Sequence, residues 1–194
     1  MSPPQPPLDA MAGLSLSAIA ALAEGEALPP VERWNPPHCG DSAMRILADG
    51  TWLYQGSPIA RPALVRLFST VLRREADGGH VLVTPVEKLS IAVDDAPFVA
   101  VELASEGEGR HRCLAFRTHV GDLVIAGPDH PLTVEDRGHG PHPYLRVRGG
   151  LDALVSRPVY YELARLALDE PAGPGGMIGL WSDGTFLPLG AAEA

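Results

Sequence analysis

Met44-Arg45-Ile46-Leu47-Ala48-Asp49-Gly50-Thr51-Trp52-Leu53-Tyr54 reads as a β-hairpin. The flanks are apolar and partly β-branched or aromatic, and Asp-Gly between them tolerates the positive φ of a tight turn. A second Asp-Gly hairpin spans Met177–Leu187, with Asp183-Gly184 at its tip. Cys113–Val120 and Leu123–Ala126 form a third, turning over Gly121-Asp122. Between the hairpins lie two amphipathic helices opened by proline at a first-turn position. One is expected from Arg61 to Glu75, with Leu64, Leu67, Phe68, Val71 and Leu72 as its apolar stripe and Arg73 and Arg74 in its last turn. The other runs from Pro158 to Glu170 on Val159, Leu163, Leu166 and Ala167. Further strands are read at 80–84, 86–93, 98–103, 132–134 and 144–148, and an apolar strand precedes each helix.

Two pieces recur. Leu47–Leu53 resembles Trp181–Leu187, and Arg61-Pro62 resembles Arg157-Pro158. These point to an internal duplication. The fold class is therefore α+β, with two small subdomains of repeated hairpin and helix motifs. The C-terminal part is mostly antiparallel β with one helix. The expected divisions are a flexible tail at 1–12, an N-terminal subdomain at 13–95 containing a short helix from Leu14 to Glu24, and a β-rich subdomain at 96–194.

The chain has 194 residues, enough for a core without covalent staples. Its formal net charge is −9, so broad binding to nucleic acid or an anionic membrane is not expected. Two cysteines, Cys39 and Cys113, are no disulfide framework. The first positive side chain is Arg33, so no secretory signal is read at the start, and no apolar run reaches membrane-spanning length. A cytoplasmic location is expected.

The run from Trp34 to Leu103 carries a wider pattern. It contains Trp-Asn-Pro-Pro-His-Cys-Gly-Asp at 34–41, Gly56-Ser57-Pro58-Ile59, Leu72-Arg73-Arg74-Glu75, Thr84-Pro85-Val86-Glu87-Lys88 and Val93-Asp94-Asp95-Ala96-Pro97. Together these resemble domain of unknown function family 1285, a bacterial family. The resemblance implies a two-part α+β fold with repeated motifs and a C-terminal part loosely similar to pleckstrin-homology folds. It also implies a ligand or partner site near the interface of the two parts, with a role in signalling, and no established catalytic residues.

Several clusters could carry chemistry. His38, Cys39 and Asp41 put a thiol beside an imidazole, the ingredients of a nucleophile. An enzyme built on them is the alternative reading. In an extended segment, however, neighbouring side chains alternate faces. His130, His139 and His142 lack the paired spacing of a structural metal site, so no metal or cofactor is expected. No phosphate-binding glycine loop is present.

Arginine is more informative, because 14 of the 15 basic residues are Arg and only Lys88 is Lys. Arg61, Arg66, Arg73 and Arg74 suggest a positive face in an acidic chain, and Arg45 shares its hairpin with Trp52 and Tyr54. Guanidinium forks beside aromatics suit a carboxylate, a phosphate or a protein partner. The expected ligand-binding residues are Asp41, Arg45, Trp52, Arg61, Arg74, Glu87 and Asp95. An acid such as Glu87 or Asp95 would satisfy a buried Arg in the free state. The expected partner is a small anionic ligand or a protein; a third reading is a structural homodimer with no ligand, which an apolar patch on the last hairpin would favour.

Overall fold

The computed structural model describes residues 28–138 and 140–191. The tail at 1–12, the helix expected at Leu14–Glu24 and His139 lie outside these residues.

Two six-stranded sheets and one two-stranded sheet make up the fold. The first sheet contains β1 (His38–Ile46), β2 (Trp52–Tyr54), β3 (Ser57–Pro58), β4 (Leu72–Arg74), β5 (His80–Val83) and β6 (Lys88–Val93). Helix α1 (Pro62–Thr70) lies between β3 and β4. The second sheet contains β7 (Phe98–Glu106), β8 (Cys113–Thr118), β9 (Leu123–Ile125), β10 (Leu132–Asp136), β11 (Pro141–Arg148) and β12 (Leu151–Val155). Helix α2 (Arg157–Leu168) and the hairpin β13 (Met177–Ser182) and β14 (Thr185–Ala191) follow.

The strand orders are β3-β2-β1-β6-β5-β4 and β9-β8-β7-β12-β11-β10. These are the same topology, strand for strand. Each unit pairs its first strand with its last in parallel, β1 with β6 and β7 with β12. The other neighbours are antiparallel. The chain is thus two repeated domains of α+β type.

The repeat does not lie where the similar sequence pieces suggested. The Asp183-Gly184 hairpin belongs to the separate β13–β14 sheet, after the second unit. Helix α1 interrupts its unit, whereas α2 follows its own, so the two helices are not equivalent. The turns differ as well. Asp183 and Gly184 both have positive φ (46° and 71°), the pairing a two-residue type I′ turn needs. At the first turn Gly50 has φ 86° and Asp49 stays on the negative side, its carboxylate accepting from the Thr51 N–H at 2.9 Å.

Helix α1 is shorter than its periodicity implied. It ends at Thr70, and Leu72–Arg74 leave it to form β4, with Leu72 opposite Leu82 and Arg74 opposite His80. A β-branched pair, Thr70-Val71, favours the change, and the ladder with β5 completes it. The buried face of α1 is also rotated. Val65 and Phe68 pack on the core and Ser69 is buried, while Leu67 is exposed.

One apolar cluster joins the halves. Ile46, Trp52 and Leu72 from the first unit meet Phe98, Phe116 and Leu145 from the second, together with Leu163 of α2 and Leu180 of β13. Trp52 stacks on Phe68 with ring centroids 6.4 Å apart. Helix α2 buries Val159, Leu163 and Ala167, at i, i+4 and i+8. Polar contacts also cross the boundary. Arg66 donates to the Val120 carbonyl at 3.1 Å, and Arg148 to that of Ser69 at 3.0 Å. The His119 ring comes within 3.1 Å of where a Cβ on Gly50 would stand.

Candidate functional site

A cavity of about 580 Å³ opens where the two sheets meet. The first unit contributes Arg74 from β4, His80 from β5, Ile91 and Val93 from β6 and the Gly78-Gly79 turn. The second contributes Glu135 from β10, Arg146 from β11, Asp152 from β12 and Arg137 from the β10–β11 turn. Asp95, in the link between the units, completes the wall.

Asp152 organises this wall. It sits in the otherwise apolar run Leu151–Val155 and is only 5% exposed. Its Cα partner across the ladder is Arg146, whose Nε donates to Oδ1 at 2.6 Å. Arg137 donates to Oδ2 at 2.8 Å, and Arg74 Nη1 stands 3.9 Å from the same oxygen. A carboxylate this buried needs such company, because an unpaired charge there would cost several kcal/mol.

Arg137 also bonds Glu135 at 2.9 Å, and its guanidinium lies over the Tyr144 ring, 3.7 Å from the centroid. The Tyr144 hydroxyl donates to Asp95. Burial and that carboxylate push the tyrosine's pKa up to about 12.

His80 is half-buried on this wall. Burial, together with the positive charges of Arg74 and Arg137, holds its pKa below the usual imidazole value, while Asp152 pulls the other way.

The acceptors here are largely engaged and the donors are not. Asp152 receives two guanidinium groups directly. Arg146 spends Nε, and its two terminal nitrogens bond no described residue. Arg74 donates from Nη1 to the Gly150 carbonyl at 3.2 Å and faces Asp152 with the same nitrogen, and its other two nitrogens bond no described residue. Both side chains are 41% exposed. The surface left over is therefore rich in charged N–H donors.

Of the residues expected to bind a ligand, Arg74 and Asp95 line this cavity and five do not. Arg45 is exposed and pairs with Asp94 at 2.7 Å. Trp52 is a fully buried core residue. Arg61 is exposed at the start of α1, and Glu87 is exposed in the turn before β6. Asp41 is exposed and caps the backbone N–H of Ala43. The positive face expected on one helix is divided. Arg66 points to the second unit, Arg73 is buried against Glu75 and the carbonyls of Val31 and Trp34, and Arg74 reaches the cavity from a strand.

Asp152 is the acid that gathers the arginines, and Asp95 stands 3.9 Å from Arg137 Nη1, while Glu87 lies apart in the turn before β6. His80, Glu135, Arg137, Arg146 and Asp152 were not picked out in the sequence, although a lone Asp in the apolar run Leu-Asp-Ala-Leu-Val is a legible signal. The His38 imidazole and the Cys39 thiol turn apart, Nε2 to the Ser90 hydroxyl at 2.8 Å and Sγ to the Pro37 carbonyl at 3.3 Å. Among the described residues no group of three or more His, Cys, Asp or Glu is placed to hold a metal ion, and no helix is long and apolar enough to cross a membrane.

The DUF1285 N-terminal domain, a domain of unknown function, matches residues 29–96, and the DUF1285 C-terminal domain, described as a protein of unknown function, matches residues 97–189. The chain belongs to the DUF1285 family. A DUF1285 family protein from Silicibacter pomeroyi DSS-3 has a similar crystal structure, with TM-score 0.77 and 47% identity over 90% of this chain and 95% of that one. A DUF1285 family protein from Shewanella baltica OS155 is similar at TM-score 0.52 and 26% identity, over 64% of this chain and 91% of that one. No curated protein matches the chain. The cavity falls between the two DUF1285 domains, with Asp95 at the end of the first.

Proposed function

We propose that this DUF1285 protein is a cytoplasmic binding module that takes a small anionic ligand in the cavity between its two halves. The observation that carries this reading is the surplus of unspent N–H donors around Asp152. One buried carboxylate gathers Arg137 and Arg146, with Arg74 close by, and the unspent N–H groups of Arg74 and Arg146 remain at an open cavity. Charge-assisted bonds from Arg forks to carboxylate or phosphate are the strong use of such groups. Arg74 comes from the first unit and Arg146 from the second, so a bound anion would bridge the halves. Such bridging suits a signalling role. The pleckstrin-homology-like character of the second half belongs to this proposal too, supported by a mostly antiparallel sheet with α2 after its last strand.

The alternative, an enzyme using His38, Cys39 and Asp41, has little in its favour, since the imidazole and the thiol face different partners.

A thermal-shift panel of nucleotides, acidic metabolites and lipid head groups tests the reading. A ligand at 100 times its Kd stabilises a fold by about 2.7 kcal/mol, roughly a 5–10 °C rise for a chain of this size. The rise is expected with one anion class and is lost in Arg146→Ala. A panel with no response, or a response that Arg74→Ala and Arg146→Ala leave intact, overturns it.

A further inference from the structure

His80 gives the same wall a group whose charge can change. It lies directly across the β4–β5 ladder from Arg74 and shares the cavity with Arg137, Arg146, Asp95, Glu135 and Asp152. With His80 neutral, three arginines meet three carboxylates and the lining is balanced. A dianion entering that balanced set leaves it two charges in deficit, and His80 is the lining group that can add a positive charge near neutral pH.

We propose that the cavity binds a dianionic oxyanion head group of the phosphate or sulfate type, and that His80 takes up a proton as the anion docks and becomes a third cationic donor beside Arg74 and Arg146. This rests on the reading of the cavity as an anion site.

The free state supports the coupling. Burial and the guanidinium groups of Arg74 and Arg137 oppose protonation of His80, and Asp152 alone among its strong neighbours favours it. An anion engaging Arg74 weakens the opposition and supplies a new favourable charge. Because binding linkage is reciprocal, protonation of His80 then tightens the anion by the same factor that the anion raises proton affinity. The cavity, at about 580 Å³, is much larger than a tetrahedral head group. Ile91 and Val93 line the remaining space, so an organic body attached to the head meets an apolar wall.

Sulfate is the probe of choice, because its charge is fixed between pH 5.5 and 8. Calorimetric titration of the full chain with sulfate, in buffers of different ionisation heat, reads affinity and proton uptake together. The expected result is binding about tenfold tighter at pH 5.5 than at pH 8, with net proton uptake between, a modest coupling by usual standards. His80→Gln is expected to remove the pH dependence and the proton uptake while weaker sulfate binding persists. Acetate, a monoanion, is expected to bind more weakly than sulfate at both pH values.

Sulfate binding that depends on Arg146 but is pH-independent, with no proton uptake, overturns the role of His80 and leaves the anion site standing. Acetate binding as tightly as sulfate overturns the dianion. No Arg146-dependent sulfate binding at either pH overturns the cavity reading and this inference together. Imidazole Cε1–H titration by NMR gives an independent reading. The His80 midpoint is expected to rise with sulfate, and a midpoint unmoved at saturating sulfate refutes the coupling.

Discussion

The Tyr144 hydroxyl bridges both carboxylate oxygens of Asp95, at 2.9 and 3.1 Å, and so fastens β11 of the second domain to the link between domains. Tyr144 is 3% exposed, and the bond is made to a charged acceptor. Tyr144→Phe is expected to cost about 1.5–3 kcal/mol in denaturant unfolding. The folded protein holds the phenolic proton up to about pH 12, whereas the unfolded chain releases it near 10. Stability from this group is therefore complete below about pH 10 and lost as pH rises towards 12. Tyr144→Phe removes that alkaline slope. An unchanged slope would mean the phenol is not held as described.

Asp152→Asn leaves three guanidinium groups around a neutral amide. Removing one member of a buried ion pair costs about 3–5 kcal/mol. The arginines here stay partly wet, so about 2–4 kcal/mol is expected, larger at low salt. Urea unfolding at two ionic strengths checks this. A loss below 0.5 kcal/mol, in the range of ordinary surface substitutions, would contradict the central role of Asp152.

Ser182, at the end of β13, is fully buried and ties it to β8 and to the residue after β9. Its hydroxyl accepts the Leu114 N–H at 2.9 Å and donates to the Ala126 carbonyl at 2.6 Å. Ser182→Ala strands both backbone groups, at about 2–4 kcal/mol together. Denaturant unfolding against Ser182→Thr separates loss of the hydroxyl from a change in size, with Thr the milder of the two.

His119 accepts the Val99 N–H on Nδ1 at 3.1 Å and lies against Gly50. Burial is the main force lowering its pKa, against the pull of Asp122 and Asp49. A depressed folded-state pKa gives stability that is present above the unfolded value near 6.5 and is lost as pH falls. His80 contributes in the same direction. Melting temperature is expected to drop on acidification below about 6.5, less steeply in His119→Gln. Gly50→Ala puts a methyl about 3.1 Å from the ring at a φ of +86°, so a loss of about 1–3 kcal/mol is expected at neutral pH.

Hairpins were legible in the sequence because their turn chemistry is local. Asp49-Gly50 and Asp183-Gly184 announce themselves within two residues. The end of α1 was not legible, because what draws Leu72–Arg74 out of the helix is a ladder with β5, set by the fold. The duplication was perceived but misplaced, since short similar strings are weaker witnesses than strand order. The site was half visible. Arg74 reads as a helix-end Arg but acts from strand β4, and Asp95 is legible as an acid in the Asp94-Asp95-Ala96-Pro97 link. Arg146 and Asp152 become partners only through cross-strand register, and Arg137 arrives from the β10–β11 turn, which has no periodicity to place it.

Because each sheet places its first strand beside its last, neither can close early in synthesis. β1 waits for β6, from His38 to Val93, and β7 waits for β12. Loop closure over such spans makes these slow contacts, formed after the hairpins. For a time the growing chain carries an open parallel edge, and a complete one carries two first strands and two last strands of like topology. Mispairing between units is then the natural error. The side chains oppose it: β1 is mostly exposed and bulged, whereas β7 begins with three buried residues, Phe98-Val99-Ala100, so the strands do not interchange without burying or baring the wrong face.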